Sequence, residues 1–100
     1  MIKHIVFWRF KESAEGASKE ANLQKAKSLF EGLRGKIKEI DVFEVGINFD
    51  ASADAVDLVL YSEFPKMEDL RSYQKHPEHM KVVEFIGKAK SEKRIADYEI

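Results

Sequence analysis

The chain predicts an α+β domain of order β-α-β-β-α-β, and three features predict it. Residues 2–10 alternate between two faces and are rich in β-branched and aromatic side chains, as a strand requires. Two later segments, 40–49 and 55–64, alternate in the same way. The stretches between and after these strands have helical periodicity, and the second is broken by His76-Pro77.

The first strand sorts His4, Val6, Trp8 and Phe10 to one face and Lys3, Ile5, Phe7 and Arg9 to the other. A connecting loop holding Gly16 is expected over 12–17. Ser18 is placed as the N-cap of a helix running to about Arg34, with Leu23, Ala26, Phe30 and Leu33 on its buried stripe and Gly35 at its stop. The second strand, 40–49, sets Phe43, Val45, Ile47 and Phe49 on one side, with Gly46 read as a bulge or close approach. After a polar turn over 50–54, the third strand carries Val56, Leu58 and Leu60 on one face and Asp57, Val59, Tyr61 and Glu63 on the other.

Pro65 opens a second helical region in which Met67, Leu70 and Tyr73 point inward. Pro77 has no N–H to donate and drives His76 out of the helical region, so the helix breaks there and restarts. From Pro77 to about Lys90, His79, Val82, Val83 and Ile86 recur on one face. A last strand over 93–100 closes the chain. With right-handed crossovers this is the split βαβ, ferredoxin-like arrangement: a four-stranded antiparallel sheet of strand order 4-1-3-2 with both helices on one face.

Two helices cover one face of such a sheet, yet Ile5, Phe7, Val59 and Tyr61 lie on the opposite face, where Ala96, Tyr98 and Ile100 continue the apolar surface. A patch of that kind is large for a monomer, so the pattern implies a homodimer whose second sheet covers it.

Composition narrows the function classes. One hundred residues make one domain, spanning 1–100. There is no cysteine, which excludes disulfides, thiolate metal sites and cysteine nucleophiles. Seventeen basic against 18 acidic residues give a net charge of −1, which argues against a nucleic-acid partner. No apolar run approaches the ~20 residues of a membrane span, and the apolar run 5–8 is too short for a signal peptide, so a soluble cytoplasmic protein without a membrane partner is expected. No phosphate loop, dinucleotide fingerprint or nucleophile elbow occurs, and no cofactor is expected.

Four segments carry a family resemblance. The opening Ile2-Lys3-His4-Ile5-Val6-Phe7-Trp8-Arg9-Phe10-Lys11 resembles the first strand of the stress-responsive A/B barrel family, called Dabb for dimeric α/β barrel. Val45-Gly46-Ile47-Asn48-Phe49 and Ala96-Asp97-Tyr98-Glu99 are similar to later strands of that family, and the run from Asp69 through Tyr73 and His76-Pro77 to His79 is similar to its most specific signature. The resemblance implies a ferredoxin-like protomer, a dimer whose sheets close into a barrel, and a small pocket between sheet and helices. One plant branch, the olivetolic acid cyclase type, closes polyketide chains by a cofactor-free aldol reaction. That branch relies on the tyrosine and second histidine of the signature, here Tyr73 and His79. Gln74 and Lys75 stand where it carries apolar residues, which argues against a long apolar tail on the ligand.

The residues themselves offer one constellation. In the 4-1-3-2 order the end of the last strand lies beside the start of the first, which brings Asp97 near His4. An aspartate on the helix-facing side needs a partner, and His79 is available. His79 is therefore the candidate general base, Asp97 its orienter and Tyr73 the hydrogen-bond donor to a developing enolate. His4, Trp8 and Leu60 are the candidate ligand contacts on the sheet. The competing reading makes these residues satisfied core groups that fix helix against sheet. A metal held by His4, His76 and His79 is disfavoured, because Pro77 breaks the helix between the last two, and none is expected. The leading expectation is a domain that binds a small, partly polar organic molecule under the broken helix. The alternatives are a cofactor-independent aldol cyclase or isomerase and a structural dimer without ligand.

Overall fold

The computed structural model describes residues 1–100. The elements in order are β1 (Ile2–Phe10), β2 (Ser13–Ala14), β3 (Ala17–Ser18), α1 (Lys19–Glu31), β4 (Val42–Ile47), β5 (Leu58–Phe64), α2 (Met67–Lys75), α3 (Pro77–Ala89) and β6 (Lys90–Glu99). The main sheet has the order β4-β5-β1-β6 with every pairing antiparallel, which is the 4-1-3-2 arrangement expected from the pattern. It is the ferredoxin-like α+β fold.

Strand alternation decides what the core contains. Ile2, His4, Val6, Trp8 and Phe10 of β1 are buried, as are Leu58, Leu60, Ser62 and Phe64 of β5. Against this inner face pack Leu23, Ala26 and Phe30 of α1, Leu70 and Tyr73 of α2, and Val82, Ile86 and Ala89 of α3. The opposite face carries Ile5, Phe7, Val59 and Tyr61, all only half-buried in the single chain. The Lys3 ammonium donates to the Tyr61 hydroxyl (2.7 Å) and pairs with Glu63 (3.3 Å) along this face.

Ser18 caps α1 as expected, its hydroxyl accepting from the Ala21 N–H at 3.2 Å. The helix ends at Glu31 rather than Arg34, and Gly32, not Gly35, is its C-cap. Leu33 nevertheless reaches the core, from the turn beyond the helix. The segment expected as a plain loop is a two-stranded hairpin, pairing Ser13 with Ser18 and Ala14 with Ala17. Its turn residues Glu15 (φ 52°) and Gly16 (φ 74°) both take positive φ, the conformation a two-residue hairpin turn favours.

β4 stops at Ile47, so Phe49 lies outside the sheet and is fully exposed. Asn48 takes over there: its backbone N–H donates to the Asp57 carbonyl (2.9 Å) and its side-chain amide to that of Val56 (2.8 Å), turning the chain away. Gly46 is neither bulge nor close approach; it pairs in unbroken register with Val59, with open space where a Cβ would stand. β5 starts at Leu58 rather than residue 55, and β6 at Lys90 rather than residue 93. Lys90 turns extended directly after α3 and pairs with Phe10 across a register shift between Arg9 and Phe10. Met67, placed inward by its spacing, is about half exposed because it opens the first turn of α2 beyond the sheet's cover.

Candidate functional site

The break between α2 and α3 builds one wall of the site. His76 is extended (φ −62°, ψ 134°) and serves both as C-cap of α2 and N-cap of α3. Its Nδ1 accepts from the Glu78 N–H at 3.1 Å, and Pro77 occupies the first helical position. His79 follows within the first turn of α3, above the inner face of the sheet.

A cavity of about 120 Å³ lies between that face and α3. It is close in size to an engineered apolar cavity of ~150 Å³ that admits benzene. His4, Trp8 and Leu60 line it from the sheet, Tyr73 and His79 from the helices, and the rest of its wall is largely apolar. The structure thus brings together five of the six residues singled out from sequence. Asp97 is outside the lining but one residue removed from the cavity, because its carboxylate accepts from the Nδ1 of His4.

That contact corrects the expected pairing of Asp97 with His79. Asp97 sits directly opposite His4 in the β1–β6 ladder, where cross-strand neighbours stand ~5 Å apart. A short side chain reaches that neighbour before it reaches a helix one layer above. His79 is oriented instead by the Gln74 backbone carbonyl, 3.1 Å from its Nδ1. A carbonyl only accepts, so Nδ1 carries the proton and Nε2 of the neutral ring presents a lone pair. Burial holds the His79 pKa below its ordinary 6.5, against the Gln74 hydrogen bond and with help from the nearby Lys93 ammonium. The ring is therefore neutral, and basic at Nε2, near pH 7.

Tyr73 is fully buried, with its ring centroid 4.3 Å from that of His79 and 6.2 Å from that of His4. Burial pushes its hydroxyl well above the ordinary pKa of 10, so it stays a hydrogen-bond donor. No protein group pairs with the Tyr73 hydroxyl or the Trp8 indole N–H, although both atoms are buried. Two unmatched buried donors in residues lining one apolar cavity are unusual, since nearly all buried polar groups are paired.

His76 is spent on capping, and no group of three or more histidine or acidic side chains gathers to hold a metal ion. A wider open depression of about 700 Å³ lies beside the loop 48–57. Three of its charged groups engage one another: Asp57 accepts from the Phe10 N–H and pairs with Lys19, which also pairs with Glu12. Lys90 and Lys93 also line the cavity, although the charge-rich stretch that holds them has the composition of a solvated helix end and turn. The available signal was the period of two in β6, which puts Lys93 in phase with Ile95 and Asp97 on the inner face.

Fold and site together define a ferredoxin-like α+β protomer with a small apolar cavity between sheet and helices. The chain belongs to the stress-responsive A/B barrel domain family, which matches residues 2–100. It is similar to a dimeric protein of unknown function with a ferredoxin-like fold from Bacteroides fragilis NCTC 9343, at 30% identity and TM-score 0.87 over 99% of this chain and 95% of that one. A dimeric ferredoxin-like protein of unknown function from Thermobifida fusca YX superposes with TM-score 0.85 at 17% identity, over 99% of this chain and 90% of that one. The hydroxynitrile lyase from Passiflora edulis superposes with TM-score 0.82 at 18% identity, over 99% and 92% of the two chains. The last two likenesses speak to fold alone. No curated protein matches the sequence.

Proposed function

We propose that this protein binds a small, partly polar organic molecule in the cavity under α3, with a carbonyl oxygen set against the Trp8 indole N–H and the Tyr73 hydroxyl. The observation that carries this reading is that both donors are buried and unpaired, in two residues that line the same cavity from its sheet and helix sides. A buried donor left without a partner costs about 1–3 kcal/mol, which a ligand acceptor recovers on binding. The cavity volume of about 120 Å³ holds a six-membered ring and leaves no room for a long tail. Trp8 is the only tryptophan, so its fluorescence reports on the cavity alone. Cyclohexanone should quench it and bind about fivefold or more tighter than methylenecyclohexane, which has the same shape without the acceptor. Equal affinity, or no binding of either, would sink the reading.

The protomer is proposed to act as a homodimer. The half-buried Ile5, Phe7 and Val59 would be covered by a second copy, and the Bacteroides and Thermobifida relatives are described as dimeric.

The second reading, a cofactor-independent acid–base enzyme of the aldol or isomerase type, is favoured by the unprotonated Nε2 of a His79 ring that packs against the Tyr73 ring on the same cavity. His79 would remove a proton α to the carbonyl while Tyr73 and Trp8 stabilise the enolate oxygen. Asp97 would act through His4, as a positioning residue. Deuterium uptake at the α-carbons of cyclohexanone in D2O, faster with the wild type than with His79→Gln, is the expected result. Equal uptake would leave the protein a binder only.

A further inference from the structure

The cavity has a charge pattern that the neutral-ketone reading does not use. Its lining includes two lysines, Lys90 and Lys93, and no aspartate or glutamate. Arg9, Lys88 and Arg94, at the same end of the molecule, each have a carboxylate partner in Glu92, Glu15 or Glu84. Lys90 and Lys93 have none. Of the two acidic residues in phase with Lys93 on β6, Asp97 is engaged by His4 and Glu99 lies at the far end of the strand, opposite Ile2. Lys93 stands opposite Trp8 in the ladder, and Lys90 is the first residue of β6, at the end of α3. The cavity is therefore lined both by residues with unmatched neutral donors, Trp8 and Tyr73, and by two lysines without a carboxylate partner.

We propose that the ligand is an organic anion: a compound about the size of a benzene ring that carries a carbonyl oxygen for Trp8 and Tyr73 and a carboxylate for Lys90 and Lys93. This rests on the small-molecule reading above and specifies its ligand class. Each half of such a molecule meets groups that the folded chain leaves unpaired. A cationic ligand would meet like charge from the lysines, and a purely apolar one would leave the buried donors desolvated and unmatched.

The test compares two ketones that share a ring. 4-Oxocyclohexanecarboxylate carries the anion, and 4-methylcyclohexanone has a methyl group in its place. Binding is followed by Trp8 fluorescence and by isothermal calorimetry. The oxo acid should bind wild-type protein about tenfold tighter at low salt, since partly exposed ion pairs contribute modestly and are screened. The gap should narrow as salt rises, and the two affinities should converge in the Lys90→Gln/Lys93→Gln variant. If the neutral ketone binds as well as the oxo acid, or the gap survives in the double variant, the anion assignment is overturned and the carbonyl reading stands. If neither compound binds, both fall together.

Discussion

Replacing Tyr73 with phenylalanine separates the stability of this fold from its proposed purpose. The ring of Tyr73 packs among Phe43, Phe64 and His79 at centroid distances of 5.8, 5.1 and 4.3 Å, and phenylalanine keeps all of those contacts. What the substitution removes is one buried hydroxyl that no protein group pairs with. Leaving such a group unmatched costs about 1–3 kcal/mol, while losing one oxygen's dispersion contacts returns a small part of that. Tyr73→Phe should therefore stabilise the unliganded protein by about 1 kcal/mol. For a domain of this size that raises Tm by about 4–8 °C, measurable by circular dichroism and checked by the urea midpoint. Cyclohexanone affinity should fall by about fivefold in the same variant. A gain in stability coupled to a loss of binding marks a residue kept for function at some cost to the fold. A fall in Tm would refute the reasoning, because it would mean that the hydroxyl is satisfied in the free protein.

Three further outcomes are expected. Phe7→Asp should convert a dimer into a monomer in sedimentation equilibrium at micromolar concentration, because an unpaired charge buried in an apolar interface costs several kcal/mol; a wild type that is already monomeric would remove the dimer proposal. His76→Ala should lose about 0.5–1 kcal/mol through the missing cap at Glu78, read as a shift in the urea midpoint with unchanged slope; no shift would mean that Pro77 alone maintains the break. For His79 the folded pKa is below the unfolded value near 6.5, so below that pH the unfolded chain binds a proton the folded one does not. Stability is thus complete above about pH 6.5 and declines as pH falls beneath it; His79→Gln should show a shallower decline between about pH 7 and 5.5, and an identical slope would contradict the buried neutral ring.

Much of the architecture could be read from side-chain periodicity. The alternation in β1 named the buried set, and two right-handed crossovers left one strand order. Ser18 and Pro77 marked helix starts because their chemistry acts within one turn. The errors lie where local pattern gives way to geometry. Phe49 continues the alternation of β4, yet Asn48 has already redirected the backbone, so an apolar residue in phase is left in solvent. Gly16 marked a connecting loop but not the short ladder that forms within it.

At the site, strand order alone brought Asp97 beside His4, and the helical stripe brought Tyr73 and His79 over Trp8 and Leu60. The partner of Asp97 was misassigned because a ladder neighbour is nearer than anything on a covering helix. The partner of His79 could not be read at all. It is a main-chain carbonyl, and only the three-dimensional course of a broken helix shows which carbonyl has been set free.

In an uninterrupted helix the Gln74 carbonyl would accept the N–H four residues on, that of Glu78. Here the Glu78 N–H has been drawn off by the His76 ring, and the spare acceptor at Gln74 goes to His79. The break at His76-Pro77 is thereby converted into a choice of which imidazole nitrogen holds the proton. Two residues before the ring, backbone chemistry settles its acid–base polarity. The His-Pro step writes a proton address into the main chain, one that no carboxylate has to maintain.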